Sequence, residues 1–163
     1  MQRAIVGFHQ DELGDWVAEL VCLHGQHVRH RPPFTLRPWA ATPEGRASRI
    51  GAELECPRCD RFELPEQAAP YRRTAIFDER TVPAALLRDH RTKPSVWGVI
   101  HVVAGQLRYI VEPPLTAEHV LDEAHPGIVV PEVLHRVEPL GAVRFYVEFH
   151  GAAGAGPQAP HAA

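Results

Sequence analysis

Cysteine is scarce and confined: the 163-residue chain holds only Cys22, Cys56 and Cys59, and nothing from residue 60 onward carries a thiol. That excludes a thiol nucleophile from the larger part of the chain, and the odd count argues against a disulfide framework. No apolar run approaches the roughly 18 to 20 residues of a membrane span. The opening MQRAIVGFHQDE also lacks the basic-then-apolar pattern of a signal peptide. A cytoplasmic chain is therefore expected. Strong charge of either sign is missing too: a formal net charge of −3 gives no electrostatic reason to bind nucleic acid or an anionic membrane. No G-x-S-x-G, phosphate-cradling glycine loop or H-E-x-x-H occurs, so nucleophilic hydrolysis and zincin chemistry lose their usual templates.

What is present is a 45% hydrophobic content, sufficient for a folded interior, and eleven histidines, an unusual supply of the commonest metal ligand. Residues 2–8 and 15–22 are short β-prone runs around Asp11-Glu12-Leu13-Gly14 and predict a hairpin. Residues 35–54 are punctuated by Arg, Gly and Pro, with at most a helical turn over 43–48. At 64–70 (LPEQAAP) the texture changes to that of a linker, which predicts a boundary near residue 66. Beyond it, β-rich segments at 71–77, 96–103, 106–112, 118–122, 127–130, 135–137 and 143–149 alternate with Gly/Pro turns, the rhythm of an antiparallel sandwich or barrel. The expected organisation is a small module over 1–66, an all-β domain over 67–150, and a disordered low-complexity tail over 151–163 that carries His161.

The first module contains the sharpest constellation. Cys22-x-His24 and Cys56-Pro57-Arg58-Cys59 each put two soft ligands on one tight turn. Three thiolates and an imidazole close a tetrahedral zinc site with no open position, the pattern of a structural rather than a catalytic metal. His27 and His30 crowd the same loop, so either could replace His24 as fourth ligand. The loop HVRHRPPF, followed by Arg37-Pro38-Trp39, is basic and aromatic; it reads as an anion- or base-stacking surface, or as a solvated face balanced by nearby acids.

Through residues 3–11, 16–20, 24–33, 37–39 and 56–61, the first module resembles an uncharacterised proteobacterial family of small Cys/His zinc-binding-type domains, a resemblance that implies no activity. The second half carries Val129-Val130-Pro131-Glu132-Val133-Leu134-His135-Arg136-Val137-Glu138, which resembles the second motif of a cupin. With Tyr71-Arg72-Arg73-Thr74, residues 87–93, Val96-Trp97-Gly98, residues 105–109 and residues 145–149, this half is similar to the cupin-like family of TehB amino-terminal domains and YeaR. The resemblance implies a cupin-like antiparallel β-barrel, a double-stranded β-helix, with roles linked to tellurite resistance and nitrosative stress.

The first cupin motif is degraded, because Lys93 and Gly98 fall where a second His and a Glu would stand. The best remaining metal ligands are His90 and His135, with His101, His125 and Glu132 as candidates for a third and the metal an unidentified divalent ion. Arg88, Arg91, Lys93 and Arg136 would neutralise a bound anion near the barrel rim. The expected function is thus a metal-binding cupin-like protein fused to a zinc module, with a small polar molecule or oxyanion as ligand and homodimer formation open. Alternatives are a metal-dependent cupin oxygenase or isomerase, and a regulatory adaptor that engages a partner through the first module.

Overall fold

The computed structural model describes residues 1–154, and strands dominate it. The backbone packs as two compact units, Met1–Arg58 and a second that begins at Cys59. In the first, β1 (Gln2–Gln10), β2 (Trp16–Leu20), β3 (Gly25–His27) and β4 (Glu53–Glu55) form an antiparallel sheet in the order β3-β2-β1-β4. The expected β1–β2 hairpin is present. Its turn is closed by the Asp11 carboxylate, which accepts from the amides of Leu13 and Asp15, each at 2.9 Å, while Gly14 takes the positive φ of +80°. Ile5, Val17, Ala18, Leu20 and Val28 form the core of this unit.

The Arg-rich stretch after β3 supplies more to that core than its composition suggests. Helix α1 (Pro43–Ala47) starts with proline in its first turn and is capped by Thr42, whose hydroxyl accepts from the Gly45 amide at 3.1 Å. Arg46 on α1 is buried, with its guanidinium 3.5 Å above the Trp16 ring and a 2.8 Å bond donated to the Ala40 carbonyl. A planar cation stacked on indole thus fills space that aliphatic side chains would otherwise occupy. A second short helix, α2 (Pro57–Asp60), follows β4.

The second unit carries β5 (Ala68–Arg73), β6 (Phe77–Asp78), β7 (Trp97–Ala104), β8 (Leu107–Val111), β9 (Ala117–Leu121), β10 (Gly127–Val129), β11 (His135–Pro139) and β12 (Arg144–Ala152). One sheet runs β10-β7-β12-β5, with β6 also on β12; the other runs β11-β8-β9. All of these pairings are antiparallel. Strand alternation sorts the side chains: Leu107, Tyr109 and Val111 on β8 are buried, while Arg108 and Ile110 between them are half-buried. Trp97, Tyr109 and Phe145 are the largest fully buried side chains, each worth about 2–3 kcal/mol of burial. Tyr109 meets its polar requirement by donating to the Ile128 carbonyl at 3.0 Å, and burial pushes its phenol well above the ordinary value.

Two boundaries differ from the sequence reading. The compact units divide at Arg58/Cys59 rather than near residue 66, and Ala68–Arg73, whose Ala-Ala-Pro start looks like linker, is a strand paired with β12. Gly151 and Ala152, placed by the sequence in the tail, instead complete β12 opposite Ala69 and Ala68. Residues 155–163, including His161, lie outside the described residues. Among the described residues no helix is long and apolar enough to cross a membrane.

Candidate metal centre and ligand cavity

Strand β1 lies between β2 and β4 and runs antiparallel to both, so the carboxyl ends of β2 and β4 arrive at the same end of β1. Just beyond those ends stand Cys22 and Cys56. The Val21 amide donates to the Ala4 carbonyl at 2.9 Å and the Cys56 amide to the Met1 carbonyl at 2.8 Å, which pins both turns. Leu23 takes φ +70°, a left-handed turn that brings His24 back beside Cys22; helix α2 does the same for Cys59.

The result is a buried cluster in which ligand atoms of Cys22, His24, Cys56 and Cys59 all lie within 4.8 Å of one another. Cys22 Sγ is 3.8 Å from Cys56 Sγ, and His24 Nδ1 is 3.5 Å and 3.3 Å from those two sulfurs. A tetrahedral ion with metal–sulfur bonds of about 2.3 Å and metal–nitrogen bonds of about 2.0–2.1 Å sets S···S near ~3.8 Å and S···N near ~3.6 Å. These three spacings lie close to those edges, Cys59 stands within 4.8 Å of the others, and no disulfide joins the cysteines. The four side chains can therefore hold a metal ion. The choice of fourth ligand also resolves. His27 Nε2 is bonded to Asp11 at 2.8 Å and exposed His30 accepts from the Arg37 amide at 3.0 Å, so both are engaged away from the thiols.

The second unit encloses a cavity of about 690 Å³. Phe145, Val147 and Phe149 on β12 and Gly98 and Ile100 on β7 face it from one sheet, and His135 and Val137 on β11 from the other. His90 and His135 line it as a bridged pair. Each backbone amide donates to the other's carbonyl, at 3.0 Å and 2.8 Å, and the ring centroids are 4.2 Å apart. Nδ1 of His90 is 2.9 Å from the Arg88 carbonyl and Nδ1 of His135 is 2.9 Å from the Val133 carbonyl. A carbonyl only accepts, so in both rings Nδ1 carries a proton, an arrangement that in the neutral tautomer leaves the lone pair on Nε2. Burial pushes the His135 pKa down to about 4 against the upward pull of the Val133 carbonyl, with lesser effects from the neighbouring His90, which lowers it, and Asp89, which raises it.

The remaining sequence candidates are dispersed. His101 alternates with cavity-facing Ile100, so it occupies the opposite face of β7, stacked on Tyr146 at 4.8 Å. His125 is on an exposed turn bonded to Asp122 at 2.7 Å, and the Glu132 side chain is exposed at a residue with φ +65°. None of the three joins His90 and His135; among the described residues no carboxylate, thiolate or further imidazole gathers with that pair. Two imidazoles alone do not make a complete resident metal site.

Of the four cations, Arg91 and Lys93 line the cavity, while Arg88 is exposed and does not line it. Arg136 faces the other side of β11 from His135, where it binds Asp89 at 2.9 Å and Glu112 at 2.7 Å, and these carboxylates raise its pKa further. Arg72 on β5 also lines the cavity, a residue the sequence reading passed over although the period of two linking it to cavity-lining Thr74 was visible.

Residues 72–147 match the family model of the TehB-like domain. That span takes in the whole cavity apart from the ends of β5 and β12. Residues 6–63, which contain all four metal-centre ligands, match a family described as a protein of unknown function, DUF3565. Among solved structures, the chain is similar to TehB from Haemophilus influenzae, 24% identical with a TM-score of 0.50 over 53% of this chain and 32% of that one. A protein from Escherichia coli strain K12 is 19% identical with a TM-score of 0.50, over 59% of this chain and 98% of its own. At these identities the likeness is one of fold, and this chain spans about a third (32%) of the Haemophilus protein. No curated protein sequence matches the chain.

Proposed function

We propose that the chain is a cupin-like protein of the TehB/YeaR type fused to a structural zinc module, and that it binds a small polar molecule or oxyanion during tellurite or nitrosative stress in the cytoplasm. Zinc at Cys22, His24, Cys56 and Cys59 supplies folding free energy, about 10 kcal/mol or more in small zinc domains. Four buried protein ligands leave no open position, which supports a structural role.

The observation that carries the ligand-binding reading is the charge pattern of the cavity. Arg72, Arg91 and Lys93 line it, and no Asp or Glu does. Such a lining attracts an anion and repels a bare cation. A cupin oxygenase or isomerase needs a third protein ligand beside His90 and His135, and the described residues offer none. Calorimetry with sodium tellurite tests the oxyanion part. Saturable binding is expected in wild type and at least about tenfold weaker binding in Lys93→Gln, as for a lost charge-assisted contact. Binding unchanged by that substitution, or absent in wild type, contradicts it.

A further inference from the structure

Resting on the reading that this cavity is the ligand site, the lining also specifies what kind of anion belongs there. The interior is apolar: Phe145, Ile100, Val129 and Val137 line it at only 0%, 1%, 2% and 4% exposure. Arg72, Arg91 and Lys93 line the same cavity but, unlike that interior, are exposed residues, and among the described residues none of them forms an ion pair. A small inorganic oxyanion would satisfy the cations yet leave the apolar surface wet. A neutral apolar ligand would dry that surface yet leave three charges idle.

The histidine pair adds a third requirement. His135 is 4% exposed, its Nδ1–H is committed to the Val133 carbonyl, and Nε2 has no hydrogen-bond partner among the described residues. That acceptor, on a side chain that lines the cavity, can take a donor from the ligand. We propose that the cavity binds a hydroxylated organic acid: an apolar body within, its carboxylate at Arg72, Arg91 and Lys93, and its hydroxyl donating to Nε2 of His135. At about 690 Å³ the space is of the size that encloses small organic ligands.

Calorimetry on the full-length zinc-loaded protein provides the test, with 4-hydroxyphenylacetate, its neutral amide, phenylacetate and sodium tellurite as probes. The acid is expected to bind at least about tenfold more tightly than the amide and several-fold more tightly than phenylacetate. In Arg91→Gln/Lys93→Gln, which alters exposed residues only and keeps the core, the advantage of acid over amide should shrink by about tenfold while amide binding holds. Equal binding of acid and amide overturns the proposal. Tellurite binding without binding of the acids overturns it too, yet leaves the proposed oxyanion function standing. Binding of the acid without tellurite supports it and removes the oxyanion part, and failure of every probe overturns both.

Discussion

At the scale of single residues, the two histidine sites differ in what their nitrogens face. His24 directs Nδ1 at two sulfurs within 3.5 Å, whereas His27 and His30 are bonded to Asp11 and to the Arg37 amide. His24→Ala should therefore abolish stoichiometric zinc and remove most of the roughly 10 kcal/mol that the ion contributes. His27→Ala and His30→Ala should retain zinc and most of the stability. Metal analysis combined with thermal melts separates the three. His135 makes a pH prediction. Its folded pKa of about 4 lies below the ordinary value of 6.5, so below pH 6.5 the unfolded chain binds the extra proton and stability falls with pH. The loss attributable to this group reaches on the order of 3 kcal/mol once the pH is below 4. An NMR titration of the His135 ring should place its midpoint near 4; a midpoint above 6 would remove the burial argument.

Elements explain why some of this was legible in advance. Alternating apolar residues and Gly/Pro turns foretold nearly every strand of the second unit, because strand burial has a period of two and turns have a restricted chemistry. Strand β5 was only partly legible: its Ala-Ala-Pro start carries linker composition, and its pairing with β12 is a contact across more than seventy residues that no local pattern encodes. The fourth ligand of the metal centre was undecidable for the same reason, since His24, His27 and His30 differ in partners rather than in type. The turn joining β7 to β8 makes a prediction at this scale. Gly105 has φ +79°, and a Cβ there would collide with the Ala142 carbonyl and stand 3.0 Å from Val143 Cα. Gly105→Ala combines a left-handed conformation with a backbone clash and should cost about 2–3 kcal/mol or more, read as a lowered urea midpoint. Gly141, at φ +88° with open space around its Cβ position, should lose only the conformational part, about 1 kcal/mol, on the same substitution.

Across the whole molecule, two kinds of stabilisation coexist. The chain up to Cys59 has a small apolar core and holds four metal-binding side chains; beyond Cys59 it buries Trp97, Tyr109 and Phe145, with no comparable cluster among the described residues. A strong zinc chelator should therefore unfold the first unit selectively, visible as loss of hydrogen-exchange protection in β1 and β2 with β7 and β12 still protected. The central claim is that Cys22, His24, Cys56 and Cys59 surround one ion, and elemental analysis of the purified chain beside Cys56→Ser tests it most directly. One zinc per chain in the wild type and well under half an equivalent in the variant is the predicted result. A wild-type chain that folds without any bound metal, or a variant that keeps a full equivalent of zinc, would contradict it.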